Sequence, residues 1–264
     1  MRNFFILNKK IGETPLEALE FFRNKKKIDS DVPMTYAGRL DPMAEGLLVV
    51  LSGDECKNKE KYLKLDKEYE FEVLFGFETD TLDILGKIVK NENKFLSKKE
   101  FLSYMPVILK SIKKIKKLKY PIFSSKTVSG RPLFSYAREG EPIEIPEKEI
   151  EIKKIVFLNS RVMASEKILE NINKRIAKLS DIKTNKKNHS FNTGDFRQKE
   201  ILKIWKKILD KKNDRFFIAK FSVRCSSGTY VRVLAKEIGL LIGIPTIAFS
   251  IKRTKIGKWS KIES

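Results

Sequence analysis

The residues best suited to chemistry lie in a short segment around Asp41. This aspartate directly precedes Pro42 and is flanked by Gly38 and Gly46, and an apolar run at 47–51 follows. Proline restricts the residue before it to extended backbone, and the apolar run is typical of a buried strand. A carboxylate is therefore expected to be held rigidly on a loop at the mouth of a strand, where it could act as nucleophile, acid or base. Leu-Asp-Pro taken alone is also typical of an ordinary turn.

The scarcity of histidine and cysteine argues against several other kinds of site. The chain has one histidine, His189, and two cysteines, Cys56 and Cys225. A histidine proton relay, a Ser-His-Asp arrangement and a zinc centre are therefore not expected. The sequence also lacks the glycine patterns that bind nucleotide phosphates, so we predict neither a metal nor a nucleotide cofactor. The cysteines are expected to serve as small buried side chains in a reducing cytoplasm.

The charge of the chain points to a polyanionic partner. Among 264 residues there are 55 Lys and Arg against 34 Asp and Glu, which gives a formal net charge of +21. Nucleic acid is the leading candidate for such a basic protein. No apolar run is long enough to span a membrane, and the apolar stretch at the start of the chain is too short for a signal peptide. A membrane partner is therefore not expected.

Hydrophobic periodicity predicts both strands and helices. A helix is also expected from the capping pattern at Ser97, with Pro106 ending or kinking it. The other predicted elements are strands at 1–10, 47–51, 69–77, 150–158 and 216–225, and helices at 14–27 and 230–242.

Three further segments stand out by their composition. Residues 110–119 form a basic block that suits either an RNA contact or a solvated face. Residues 120–146, rich in Ser, Gly, Pro and aromatics, are expected to form a long irregular excursion. Residues from about 164 to 214 are rich in Lys and Asn and are expected to form a helical insertion between two strands, with helices over 166–179 and 201–209.

The segment 38–48, Gly-Arg-Leu-Asp-Pro-Met-Ala-Glu-Gly-Leu-Leu, resembles the catalytic-aspartate motif of pseudouridine synthases. Pro42 and Ala44 favour the bacterial B-type branch, which acts on uridine 55 in the T-loop of tRNA. Further stretches resemble the same family in the same order: Lys67–Tyr69, Thr79–Gly86, Gly130–Gly140, Ser227–Arg232 and, weakly, Ile251–Thr254. Together they cover most of the chain outside the insertion.

The chain departs from the family pattern at several positions. Tyr36 stands where the family usually has a histidine, Lys10 replaces the proline of an early Lys-Pro pair, and Phe134 replaces a tyrosine. Many members continue into a small RNA-binding domain, which is not expected here because the sequence stops at Ser264. The insertion is a candidate to compensate for it, although a solvated insertion without a role is the simpler alternative.

The resemblance implies an α+β fold with a mixed, mostly antiparallel sheet and flanking helices. Residues 1–264 would then form a single catalytic domain that carries the helical insertion at about 164–214. The implied reaction converts uridine to pseudouridine in tRNA after the base is extruded from the RNA. It involves no redox change and so needs no cofactor. The family mechanism has been argued as attack on the ribose or as a glycal route, and the sequence does not choose.

The resemblance also implies roles for individual residues. Asp41 would be the essential carboxylate, Arg232 would orient it through paired hydrogen bonds, and Tyr69 would stack on the base or take part in proton transfer. Substrate contacts are expected from Tyr36, Asp83, Arg131, Tyr136, Arg138, Tyr230 and Ile251. Asp83 could equally cap its own loop, and Ile251 and Tyr36 could serve only in packing.

Two alternatives remain beside a monomeric, cytoplasmic enzyme acting on the tRNA T-arm. A ribosomal-RNA pseudouridine synthase is mildly favoured by Arg39, whereas the Thr79–Asp83 and Thr229–Arg232 stretches oppose it. A noncatalytic RNA-folding or RNA-binding factor would not require Asp41, Tyr69 and Arg232 together.

Overall fold

The computed structural model describes residues 3–92, 96–180, 196–210 and 214–260. The helices are α1 (Pro15–Lys26), α2 (Lys59–Leu63), α3 (Lys98–Lys114), α4 (Leu133–Glu139), α5 (Ser165–Ser180), α6 (Gln198–Leu209) and α7 (Val231–Ile242). The strands are β1 (Phe4–Lys9), β2 (Met34–Ala37), β3 (Ala44–Ser52), β4 (Lys67–Phe75), β5 (Phe77–Thr79), β6 (Ile88–Asn91), β7 (Lys117–Lys119), β8 (Thr127–Val128), β9 (Arg131–Pro132), β10 (Glu147–Glu149), β11 (Ile152–Ala164), β12 (Arg215–Cys225) and β13 (Thr246–Ile256). None of these helices combines the length and apolar character needed to cross a bilayer.

The main sheet has the strand order β1-β3-β13-β4-β12-β11, and β2 pairs with β3 beside this path. β13 runs parallel to β3 and antiparallel to β4. The remaining described pairs of this sheet are antiparallel. The expected α+β fold with a mixed, mostly antiparallel sheet is therefore confirmed.

Successive side chains along a strand point to opposite faces of the sheet, and at the centre of this sheet both faces are buried. Val73 and Phe75 of β4 belong to the core cluster that also contains α3 and α7 residues. Leu74, between them, belongs to the second cluster, which contains the apolar residues of α5 and α6. Helices therefore pack on both sides of the strands that carry the candidate site.

Local sequence signals explain where the helices begin and end. Thr14 and Glu17 form a reciprocal capping box at the start of α1, and Ser97 caps α3 through the amide of Glu100. Gly243 ends α7 in the left-handed conformation, with φ +69°.

Of the two alternatives for Pro106, that it ends α3 or that it kinks it, the first is wrong, because the helix continues to Lys114. An interior proline costs about 3 kcal/mol. Phe101 before it and Ile108 and Ile112 after it are fully buried in one core cluster. Each buried apolar side chain contributes roughly 1.5–3 kcal/mol, so the burial outweighs the cost of the proline.

The segment 120–146 is more regular than expected. β8 and β9 form a hairpin whose turn residues, Ser129 and Gly130, have φ +48° and +80°. Positive φ at both positions suits a two-residue turn, and α4 follows directly. Strands of two residues are too short to produce a recognisable alternation, which is why the sequence indicated only an excursion.

The predicted insertion lies between β11 and β12, which are adjacent antiparallel strands. Its two predicted helices correspond to α5 and α6. Their apolar stripes are buried against the sheet through Ile168, Ile172, Ile176, Leu179, Ile201, Trp205 and Leu209. Residues 184–193 of the insertion, which include His189, are polar in sequence and lie outside the described residues.

Candidate active site

Asp41 lies in a turn that is fixed from several directions. Its carbonyl accepts a hydrogen bond from the Ala44 amide at 3.0 Å, and the carbonyl of Pro42 accepts one from the Gly12 amide at 2.9 Å. Gly46 has φ +110°, and a Cβ there would lie 2.2 Å from the Arg253 carbonyl oxygen. Only glycine allows this close approach to β13. The Asp41 carboxylate itself remains about one third exposed.

Arg232, in the first turn of α7, is buried against this carboxylate. Its Nε lies 2.7 Å from Oδ2 of Asp41, and its Nη2 donates to Oδ1 at 3.1 Å. The same guanidinium donates to the carbonyls of Thr81 at 2.6 Å and Phe123 at 3.2 Å. Burial acts to lower the pKa of Arg232, but the carboxylates of Asp41 and Asp83 outweigh it and raise the pKa. Arg232 is therefore a fixed cation that faces a partly accessible anion.

Asp83 lies on the other side of Arg232, with its Oδ2 3.9 Å from Nε. Its Oδ1 accepts hydrogen bonds from the Thr81 hydroxyl at 2.7 Å and the Leu85 amide at 2.9 Å. Burial raises the pKa of Asp83, while Arg232 acts against this rise. Asp83 thus caps its own loop and places a second carboxylate beside the arginine. A contact to the uracil edge stays a prediction.

Tyr69 and Ile251 belong to the core cluster that continues to the Asp41 loop. Tyr69 on β4 pairs in register with Arg253 on β13, and Ile251 pairs with Ala44. Burial raises the pKa of the Tyr69 hydroxyl, with a further upward contribution from the Asp41 carboxylate. The hydroxyl is therefore protonated at neutral pH.

Tyr230 is the N-cap residue of α7, two positions before Arg232. Its ring stands edge-on to Tyr120, with 5.6 Å between the centroids. Burial is the main cause that raises the pKa of Tyr230, and Asp41 adds to it. Arg232 thus joins Asp41 and Asp83, while Tyr69 and Tyr230 are near enough for the Asp41 charge to affect their pKa, and Ile251 pairs with Ala44 of the same loop.

Arg253 belongs to this site although the sequence indicated only a weak motif match there. It is almost fully buried, and its guanidinium donates to the carbonyls of Leu47 at 2.7 Å, Gly38 at 3.2 Å and Arg39 at 3.3 Å. It therefore holds both ends of the Asp41 loop. The available signal was its position two residues after Ile251, which places it on the buried side of an alternating strand.

Three predicted substrate contacts lie in the hairpin and α4. Arg131 forms ion pairs with Glu139 and Glu141 and lies 4.5 Å from the centroid of the Tyr136 ring. Tyr136 is buried, and its hydroxyl donates to a backbone carbonyl at 3.2 Å. Arg138 lies over the ring of a neighbouring phenylalanine at 5.3 Å. These contacts stabilise the segment internally, and the expected roles in RNA binding stay predictions.

Tyr36 lies on β2 and packs against the cluster beneath α1. The Nζ of Lys59 is 5.6 Å from the centre of its ring. The packing role considered for Tyr36 is therefore present, and stacking on RNA stays a prediction. Within the described residues, no three His, Cys, Asp or Glu side chains gather as a metal site.

Lys9 supports the loop that contacts Pro42. It is fully buried, and its Nζ donates to the carbonyls of Lys10 at 2.8 Å and Glu13 at 2.7 Å. Burial lowers the pKa of the Lys9 ammonium to about 8, although Glu13 and Asp41 act to raise it. The Lys9 ammonium is thus held by two backbone carbonyls, and the charges of Glu13 and Asp41 favour its protonated form.

This burial predicts how stability depends on pH. In the unfolded chain Lys9 keeps its proton up to pH near 10.5, whereas in the folded protein it loses the proton near pH 8. Unfolding therefore takes up a proton between these values, and stability rises with pH by up to about 1.4 kcal/mol per unit. Urea unfolding between pH 7.5 and 9.5 gives the free energy of unfolding of wild type and of Lys9→Met. This free energy should rise less steeply with pH in the variant than in wild type. Lys10→Met, at an exposed position, should keep the wild-type slope, and equal slopes in all three proteins would contradict the prediction.

The chain is similar in sequence to known proteins. The sequence model described as TruB family pseudouridylate synthase (N-terminal domain) matches residues 25–173. The tRNA pseudouridine synthase B of Caldicellulosiruptor saccharolyticus is 30% identical over 257 residues, which cover 97% of this chain and 68% of that protein. The protein of the same name from Bordetella pertussis is 26% identical over 255 residues, which cover 97% of this chain and 81% of that protein.

Solved structures show the same fold. A chain in the crystal structure of a Cbf5-Nop10-Gar1 complex aligns with a TM-score of 0.53 at 13% identity, covering 98% of this chain and 50% of that chain. At that identity the similarity concerns the fold alone. The match of the family model to more than half of the chain, together with the relative at 30% identity, shows more: the chain belongs to the TruB family of pseudouridylate synthases.

Proposed function

We propose that this protein isomerises uridine 55 in the T-loop of tRNA to pseudouridine. The observation that carries the proposal is the Asp41 carboxylate, one third exposed and held by the buried guanidinium of Arg232 at 2.7 Å. The relatives named tRNA pseudouridine synthase B support tRNA as the substrate. Pro42 and Ala44 support the T-loop position, because they follow the pattern of that branch.

The proposed reaction breaks the C1′–N1 bond and forms a C1′–C5 bond. The hydrogen at C5 leaves as a proton and N1 gains one, so atoms and electrons balance without a cofactor. Asp41 would act either by attack on C1′ or by removal of a ribose proton. In both routes the carboxylate must be correctly placed, and a charge-assisted contact with a guanidinium favours a fixed geometry.

The neighbouring groups suit an extruded base. Tyr69 offers an aromatic face and a protonated hydroxyl, and Ile251 offers an apolar wall at the site where β13 pairs with Ala44. A base removed from its stack needs such surfaces to offset the lost stacking, which costs a few kcal/mol. We propose that the enzyme works as a monomer in the cytoplasm.

The test uses a T-arm stem-loop that carries tritium at C5 of its uridines. Isomerisation releases this tritium to water, so release measures turnover directly. We expect one equivalent per stem-loop, and none when uridine 55 is replaced by cytidine. Release only from ribosomal RNA would show the alternative substrate, and RNA binding without release from either would contradict an enzymatic role.

RNA affinity is expected to depend strongly on salt. The chain carries a formal net charge of +21, and each phosphate contact on single-stranded RNA contributes a slope of about −0.7 in log K against log salt. Several contacts should therefore give a slope of about −2 or steeper between 50 and 200 mM KCl. Fluorescence anisotropy with a labelled T-arm measures it, and a flat titration would show that the basic surface does not contact the phosphates.

A further inference from the structure

Arg175 of α5 reaches the Asp41 loop from the insertion. Its Nη2 donates to the carbonyl of Met43 at 3.2 Å, and its Nη1 donates to the carbonyl of Phe249 on β13. The guanidinium also lies 5.7 Å from the centre of the Phe249 ring. Met43 is two residues after Asp41. One side chain of the insertion thus joins the catalytic turn to the strand that carries Ile251.

The cost of burying Arg175 indicates that these bonds matter. The residue is 8% exposed, and its Nε is buried without a hydrogen-bond partner in the described structure. Burial lowers the pKa of Arg175, while the charges of Asp83, Glu72 and Glu45 act against this. An apolar side chain would pack between Ile172 and Ile176 without that desolvation cost. An apolar side chain could not, however, donate the hydrogen bonds by which Arg175 joins the carbonyls of Met43 and Phe249.

Other residues of the insertion approach the second loop of the site. The indole nitrogen of Trp205 donates to the carbonyl of Ile84 at 3.2 Å. Arg197 pairs with Asp80 at 2.7 Å, next to the residues that contact Arg232. The insertion therefore contacts both the Asp41 loop and the Asp83 loop from the sheet face opposite α7.

We propose that Arg175 is a positioning residue for the reaction: it fixes the turn after Asp41 against β13, while Arg253 fixes the two ends of the same loop. Its kinetic consequence rests on the proposed function, but its structural consequence does not. A misplacement of about 1 Å at a reacting group can reduce the rate about a hundredfold. The loss of Arg175 should therefore act on kcat through the orientation of Asp41.

The experiment compares Arg175→Met, Arg175→Lys and the control Lys174→Met. Lys174 is the neighbouring residue on α5, carries the same charge and has a side chain that is 71% exposed. Arg175→Met should lower kcat about tenfold or more with KM within about twofold, and Lys174→Met should behave as wild type. Arg175→Lys should be intermediate, since one ammonium can bond only one of the two carbonyls well.

Hydrogen–deuterium exchange of the peptide covering residues 38–48 gives a readout independent of activity. Exchange there should accelerate in Arg175→Met at temperatures where both proteins are folded, and stay at the wild-type rate in Lys174→Met. If wild type itself fails to isomerise tRNA, the proposed function fails, and exchange alone decides the role of Arg175. The proposal would be overturned if Arg175→Met exchanged the 38–48 peptide at the wild-type rate. It would also be overturned if the wild-type enzyme is active and Arg175→Met keeps its kcat. If the Met variant does not fold, the same two results in Arg175→Lys would overturn it.

Discussion

Replacement of Asp41 by asparagine is expected to reduce pseudouridine formation by at least about a thousandfold, within the range that a positioned acid–base group supplies. Asparagine has nearly the same shape but no charge, so it can neither attack C1′ nor remove a proton. RNA affinity should stay within about threefold of wild type, because the lost group is one anion next to a buried arginine. Single-turnover tritium release and anisotropy measure the two effects separately.

Asp54→Asn provides the matched control for this experiment. Asp54 is almost fully exposed and pairs with Lys57 in the same turn, so the same chemical change there should leave turnover intact. Steady turnover by pure Asp41→Asn would refute the assignment of Asp41 as the essential carboxylate. A large loss of RNA affinity in the variant would instead assign Asp41 to binding.

Arg232→Lys is expected to lower kcat about a hundredfold, comparable to the loss of one preorganised donor in an active site. The guanidinium contacts Asp41, Thr81 and Phe123 together, and a lysine ammonium cannot span these three acceptors. The buried charge is retained, so the fold should survive. Measured kcat and the thermal midpoint of the same preparation distinguish a catalytic loss from unfolding.

Arg224→Lys is the control for this change. Arg224 is half exposed on β12 and forms long ion pairs with Asp66 and Glu68, at 3.5 and 3.9 Å. Surface pairs of this kind contribute little, and wild-type activity is expected. A wild-type rate in Arg232→Lys would show that the planar guanidinium is not required to place Asp41.

The parts of the fold that the sequence could predict depend on local rules. Each of these rules involves residues within or next to the element that it defines. Examples are the capping at Thr14 and Ser97, the alternation along 69–77 and the apolar stripe of α7. The pairing of Asp41 with Arg232 was also accessible, although 191 positions separate them, because two motif segments of one family suggested it.

The features that were missed depend on distant partners. β13 combines an apolar run with an alternating segment, and nothing local reveals that it lies between β3 and β4. Arg175 looks like one more basic residue of a Lys-rich helix. Its register, three residues after Ile172 and four before Leu179, places it on the buried stripe and was the signal available.

The suggestion that the insertion contributes to RNA binding stays a prediction, but the structure changes how it must be tested. The apolar faces of α5 and α6 cover one side of the main sheet, so their replacement by a flexible linker would expose that core. Substitution of exposed lysines such as Lys199, Lys203 and Lys206 leaves the packing intact and tests RNA contact alone.

The position of β13 has a consequence for the order of events during synthesis. This strand comes last among the described strands, yet it lies in the middle of the sheet between β3 and β4. A ribosome must therefore deliver the chain from β1 through β13 before the two halves of the sheet can be joined. Until then the Asp41 loop lacks its hydrogen bonds from Arg253. The edges of β3 and β4 that β13 later covers also stay open to other strands. Such long-range closure is slow, so activity should appear only after translation has passed this strand.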